Sequence, residues 1–403
     1  MRLKPGSLPF TVLLGALTAM TAFATDMSLP ALPTLTRSFA TSPERVQLTL
    51  SFFIFGYGGG QLFYGPLSDR FGRRPMLLVG LAIYTLSGFA CAWAPSIEVL
   101  VAARLIQGLG GCVGPILGRA IVRDHYSGVH AAQMLSYVTL VFALAPMVAP
   151  LLGGVLLDLF GWPSIFLAFG VFGLLLLIVT WFAFAESLAV PDARALELTR
   201  LIAKGQRFFS NRHCVGYMLI NSFIFAGLFA YISGSPFVFN GIYGVPAGRF
   251  GFYFALSALG IVLGALVNGR LIRHRPPERV LRFGLRLLAI AGAVMLLVAV
   301  SGWGRPIWFT LAMLTYVFAQ GLCMPNAIAA AMEPLPDMAG MGASFLGAVQ
   351  MLGGSLAGYA VNALYDGTPL PMAAMIAAMA MAAFLSYHLA APGISHAGGS
   401  ASP

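Results

Sequence analysis

Two ionisable residues stand inside runs that are otherwise apolar. Asp26 lies in TAFATDMSLP and Arg104 in VAARLIQGLGG. A carboxylate at that depth in a bilayer costs about 2.5–3.5 kcal/mol on insertion scales unless it is paired, hydrated or protonated. Such a group can alternate between protonated and charged forms as a cation or substrate comes and goes, which is the chemistry of proton coupling. Arginine keeps its proton inside a protein, so its part would be to hold a negative partner. By the helical rise, both side chains fall at a similar depth, roughly 10 Å below the outer surface, and a contact between them is possible. The competing readings are that Asp26 caps the outer end of a short first helix, and that Arg104 snorkels to the headgroups.

A third constellation is the segment GPLSDRFGRRP, Gly65 to Pro75, which places Asp69, Arg70, Arg73 and Arg74 on one tight turn between two apolar segments. Retention of positive charge on one side of a membrane would need only the arginines. Asp69, Gly65 and Gly72 instead suggest a joint that forms and breaks, the acid accepting from an arginine or from the N-terminus of a neighbouring helix. Further on, APMVAPLLGG carries Pro146 and Pro150 four apart, followed by Gly153 and Gly154. Missing backbone bonds and small side chains predict a bent, closely packed segment, a hinge that seals a path. Tyr57, Gln61, Asn221, Phe225, Tyr231 and Gln320 are candidates to line a cavity, against the plainer reading that they join helices or face lipid.

The elements that must position these residues follow from composition. Hydrophobic residues make up 59% of 403 and charged ones 9%, and the mean hydropathy is +0.86. These values describe a polytopic membrane protein. Windows of about 20 residues give twelve spans, at about 8–32, 47–66, 75–94, 97–119, 133–157, 163–185, 213–240, 249–271, 281–301, 305–331, 339–364 and 369–390. Their apolar runs are continuous, as in helices, without the two-residue alternation of barrel strands, so the expected fold is all-α. Arg2 and Lys4 before an apolar run ending near Ala24 resemble a signal peptide, but removal would leave eleven spans and misplace the basic loops, so the run is read as the first span.

With the first terminus inside, 18 of the 23 Lys and Arg fall in inner segments, whereas Arg37, Arg45, Arg249 and Arg305 fall outside. Both termini are therefore expected in the cytoplasm. The net charge of +10 follows from this asymmetry and from contact with anionic lipid, without a nucleic-acid partner. Cys91, Cys112, Cys214 and Cys323 have neither disulfide nor metal spacing. Residues 186–212 read as a basic amphipathic linker between two six-span halves, 1–185 and 213–403. The halves echo each other: Gly65, Leu67 and Arg74 against Gly264, Leu266 and Arg273, with Asn268 in the place of Asp69, and LGGVL from Leu152 against LGGSL from Leu352.

The segments GQLFYGPLSDRFGRRP, RLIQGLGG, RAIVRD and APMVAPLLGG resemble the signatures of the major facilitator superfamily, and DMSLPALP from Asp26 is similar to its drug:proton antiporter branch, most closely the bicyclomycin/chloramphenicol-resistance (Bcr/CflA) members. The resemblance implies a twelve-helix fold of two rocking halves in a bacterial inner membrane, exporting small drug-like molecules. It makes Asp26 the proton and cation site, Arg104 its support, Gly65, Asp69, Arg70, Arg73 and Arg74 the inner gate, and Pro146, Pro150, Gly153 and Gly154 the antiporter motif. Ala145 and Ala149 stand where many antiporters have glycine. The expected partners are a small uncharged or amphiphilic substrate, protons and lipid, with no cofactor beyond the proton gradient, and the expected form is a monomer. The rival readings are a metabolite carrier on the same fold and a non-transport membrane protein, for which no catalytic constellation is visible.

Overall fold

The computed structural model describes residues 3–302, 305–335 and 338–390; Arg2 and residues 391–403 of the second half lie outside them. The described chain is helical throughout, and its long helices account for twelve spans. The first span is α1 (Leu8–Asp26), a 3-10 turn (Leu29–Ala31) and α2 (Leu32–Ser38). There follow α3 (Pro43–Phe71), α4 (Arg73–Ala92), the pair α5 (Ile97–Gly111) and α6 (Val113–His125), α7 (Gly128–Phe160) and α8 (Pro163–Ala183). After a short linker helix, α9 (Leu198–Phe209), come α10 (Arg212–Pro236) with its π turn (Phe237–Ile242), α11 (Ala247–Leu271), α12 (Pro277–Val300), α13 (Pro306–Met332), α14 (Ala339–Ala363) and α15 (Leu370–Ala390). Ten are long and apolar enough to cross a membrane by length and composition alone.

Three local departures from the expected spans have clear causes. The first span breaks after Asp26 because Pro30 and Pro33 lack the N–H groups that would continue the ladder. The fourth breaks at Cys112, after Gly110 and Gly111. The turn expected from Gly65 to Pro75 shrinks to one residue: α3 stays helical to Phe71, and α4 begins at Arg73. Gly72 alone joins them at φ +99°, a conformation open chiefly to glycine.

Glycines set how closely the helices cross. A Cβ on Gly56 would collide with the Leu105 carbonyl, and one on Gly108 with the Phe53 carbonyl, so α3 and α5 meet backbone to backbone. The second half repeats the arrangement, with Gly260 and Gly264 against the carbonyls of Leu314 and Phe318 on α13. Matching Gly56 to Gly260 and Gly60 to Gly264 sets this repeat at 204 residues. The sequence echo had aligned Gly65 with Gly264. In the packing register the position equivalent to Asp69 is Arg273, while Asn268 lies deeper, its Oδ1 accepting from Asn326 Nδ2 at 2.8 Å.

The halves meet along two equivalent seams, α3 with α14 and α7 with α11. Ser51 Oγ and Ser355 Oγ each donate to the other's carbonyl, at 3.4 and 2.9 Å. At the same end the Leu29–Ala31 turn packs on α7, α10 and α11, and closes the molecule there. The opposite end, which carries most of the arginines, is open. Replacing Gly108 by valine should force α3 and α5 apart and cost several kcal/mol, as overpacking does. Thermal unfolding in detergent should show a melting point lower by at least 5 °C, with Gly59→Ala, whose Cβ would meet nothing, as the neutral control.

Candidate functional site

Asp26 is the last residue of α1 and is 4% exposed. Its Oδ1 accepts from Thr25 Oγ1 at 3.1 Å. The side chain lines a cavity of about 50 Å³ whose other walls are Pro146 of α7 and, from the second half, Tyr231, Phe254, Ser257 and Met313 among others. At about 15 Å³ each, that space holds about three waters. The carboxyl is the charged group among the described lining residues, and it sits where the two halves face each other. Tyr231 stacks on Phe254 with centroids 5.8 Å apart and shares a 3.1 Å hydrogen bond with Ser257. Ser257 donates in turn to the Tyr253 carbonyl.

Arg104 is 0% exposed. Equal depth allowed it an ion pair with Asp26, but the described ion pairs do not include one. Nη2 donates instead to the Ala24 carbonyl at 2.8 Å, Nη1 to Gln107 Oε1 at 2.6 Å and Nε to the Thr49 carbonyl at 3.3 Å. The guanidinium also lies 4.2 Å from the centroid of Phe53, with Phe166 and Phe169 at 5.8 Å. Ala24 belongs to the last turn of α1, where carbonyls lack helical partners, so Arg104 supplies a cationic C-cap. It thereby fixes the backbone two residues before Asp26 and joins α1, α3 and α5.

The hinge segment backs the same turn. α7 runs unbroken through Pro146 and Pro150, and a Cβ on Gly153 would strike the Met27 carbonyl, next to Asp26. Pro150, Gly153 and Gly154 are buried.

At the basic end, Arg73 is the hub. Its Nη1 meets Asp69 Oδ1 at 2.5 Å and Ser68 Oγ at 2.7 Å, and its Nε meets Asp124 Oδ2 at 3.0 Å. Asp124 also accepts from Ser187 Oγ at 2.9 Å. Glu186 caps α4: Oε1 accepts from the backbone of Arg73 at 2.9 Å and Oε2 from that of Arg74 at 3.0 Å, while Oε1 also takes the N–H groups of Ser187 and Leu188. The linker is fastened further by Asp192 N to the Asp69 carbonyl and Arg70 Nη1 to the Ala193 carbonyl, and Arg74 Nη2 ties α4 to α8 through the Trp181 carbonyl. Gly65 faces Ser344 of α14 across an open space, with room for a Cβ at 3.8 Å.

Asp124 entered the sequence reading only within RAIVRD, and Glu186 only as the start of the linker. An acid one residue past a span, able to cap a helix distant in sequence, has no local signature. Of the cavity candidates, Tyr231 alone borders the Asp26 space. Gln61 borders the basic-end cavity and presses on Gly347 of α14. Asn221 donates to Gln350 at 2.8 Å, Gln320 to Met324 Sδ at 3.1 Å, and Phe225 stacks on Phe229. Of these contacts the Asn221–Gln350 bond joins two helices, α10 and α14, whereas the other two lie within one helix, and Tyr57, also buried, borders neither cavity.

Two six-helix halves around a buried, chargeable cavity define a membrane transporter, and comparisons place it. The family model described as Major Facilitator Superfamily matches residues 14–358, and the chain belongs to that family. A bicyclomycin resistance protein homolog of Haemophilus influenzae is 32% identical over 94% of this chain and 95% of its own. Multidrug resistance protein D of Escherichia coli is 28% identical over 85% of each chain, and a chloramphenicol resistance protein of Pseudomonas aeruginosa 32% over 75% of this chain and 73% of its own. In fold, the chain is similar to the E. coli xylose transporter in a partially occluded inward-open conformation, with TM-score 0.70 and 15% identity over 95% of this chain and 97% of that one.

The Glu186 cap yields a test. Glu186→Ala leaves four backbone donors without their acceptor, at about 1–3 kcal/mol for those that stay buried. The 186–197 strap should loosen, and limited trypsin digestion in detergent should cut at Arg194, Arg200 and Lys204 several-fold faster than in the parent, with Glu186→Gln in between.

Proposed function

We propose that this protein is a proton-coupled exporter of small drug-like molecules, working as a monomer in a bacterial inner membrane with both termini in the cytoplasm. The observation that carries the reading is Asp26, the carboxyl that borders the cavity between the halves on a helix end held by Arg104. The names of the curated relatives, resistance proteins for bicyclomycin, chloramphenicol and several drugs, support the substrate class. The excess of arginine at the open end supports its cytoplasmic orientation.

In this reading the open conformer takes substrate from the basic side while Asp26 is charged. The halves then rock about the α3–α14 and α7–α11 seams, opening the other end. A proton from that side neutralises Asp26, substrate leaves, and the neutral carboxyl allows the return. One proton moving down one pH unit supplies about 1.4 kcal/mol, a tenfold substrate gradient.

The test is Asp26→Asn in inverted vesicles with an imposed pH gradient, followed with chloramphenicol. Uphill accumulation should fall at least tenfold, while downhill counterflow persists. Undiminished uphill transport by the variant would remove Asp26 from the coupling.

A further inference from the structure

The basic end opens into a cavity of about 440 Å³, bordered by Gly65, Asp69 and Arg73 from the first half, Arg123 of α6, Lys204 of α9 and Ser344 of α14. It shares Arg123, Gly340 and Ser344 with a neighbouring space of about 230 Å³ that Gln61 and Arg119 also line. The charges around this vestibule do not cancel. Asp69 is taken by Arg73, which also holds Asp124. Arg119 donates Nε to the Pro115 carbonyl of its own helix, and neither Arg123 nor Lys204 enters an ion pair among the described residues. Three exposed cations therefore remain without a carboxylate among the described residues. The N-terminal turn of α14, at Gly340 and Met341, borders the same space and adds the positive end of its dipole.

We propose that this vestibule is a charge filter at the entrance: it admits neutral and anionic amphiphiles and slows lipophilic cations before they reach Asp26. A cleft with low-dielectric walls and charges of one sign focuses the field, and potentials of a few kT change local concentrations by roughly tenfold or more. The cations line one cavity, so screening at a Debye length of about 8 Å leaves much of their field intact there. The filter rests on the export reading above only for its direction, in that substrate enters from the basic end. It explains how a carrier whose central acid would accept any cation can still discriminate by charge, because selection occurs in two steps at two depths.

The vestibule potential can be measured without transport. Ser344→Cys places a thiol in the cavity, and the native cysteines, all buried, serve as background. The anionic and cationic methanethiosulfonates MTSES and MTSET share one reaction, so the ratio of their rates, divided by that for a free thiol in solution, reports potential alone. The ratio should favour MTSES by roughly tenfold, and should fall towards one in 1 M salt or with Arg119→Gln, Arg123→Gln and Lys204→Gln combined. A ratio of one in the parent, or one indifferent to the triple substitution, overturns the filter. Drug-sensitivity profiles of cells supply the functional arm. The triple variant should raise protection against ethidium and tetraphenylphosphonium at least fourfold and leave protection against chloramphenicol unchanged. A collapsed rate ratio with no gain against the cations would mean that cations enter by another route, such as directly from lipid, and would also overturn the proposal. The labelling arm needs no transport and therefore no Asp26, so its failure is distinguishable from failure of proton coupling.

Discussion

A guanidinium sealed from solvent, with no carboxylate against it among the described residues, holds the first half in order. Leaving an unpaired charge in the interior costs several kcal/mol. Arg104 offsets that cost by spreading its charge over two backbone carbonyls, one amide oxygen and the face of Phe53. Hydrogen bonds from a charged donor contribute about 1.5–3 kcal/mol each, and a desolvated cation–π contact about 2. No acid among the described residues is consumed in the arrangement. Had Arg104 paired with Asp26, the carboxylate would be locked in its charged form. By gripping Ala24 instead, the arginine fixes the helix end that carries Asp26 without pairing with its carboxyl.

The basic end uses charge in the opposite way, in pairs. Asp69, Arg73 and Asp124 form a chain of short contacts, and Glu186 fastens the linker over it. Each partner comes from a different helix or from the strap, so the cluster makes the ends of α3, α4, α6 and the linker into one body. Among the described residues the second half shows no such cluster: its equivalent position carries Arg273, and deeper in the bundle Asn268 and Asn326 make a neutral amide bond. Among the described residues this end of the molecule is therefore tied by ion pairs in the first half and by no comparable cluster in the second.

Much of this was legible in the residues. Apolar run lengths gave the spans, because a bilayer demands both length and internal backbone pairing. Asp26 and Arg104 stood out because charge in such runs is costly. What local spacing could not give was direction. Equal depth suggested an Asp26–Arg104 pair, but rotation about each helix axis decides the partner, and that is set by packing against α3 and α8. The repeat was visible, yet its register slipped by five residues between echo and packing, since glycine is abundant enough to match by chance and only carbonyl contacts fix which glycines correspond. Glu186 and Asp124 were missed as partners of the Arg73 cluster because the residues they bind lie more than 50 positions away.

The two cavities together define what the conformer can do. The space at Asp26 holds about three waters, far less than a drug-like molecule needs, whereas the vestibule is several times larger. Between them, Gln61 presses on Gly347, and α3 on α14. The helices cross closely beside it, since a Cβ on Gly58 of α3 would lie 3.3 Å from the Ala348 carbonyl of α14, so widening the passage means moving α3 away from α14 as well as turning the Gln61 side chain. Access to the carboxyl from the vestibule therefore involves the halves separating at the α3–α14 seam. The Asp26 cavity can exchange protons and waters with less motion than it needs to exchange substrate. In a coupled carrier that difference must be closed at the end opposite the vestibule, where the Leu29–Ala31 turn and the Ser51–Ser355 contact form the seal.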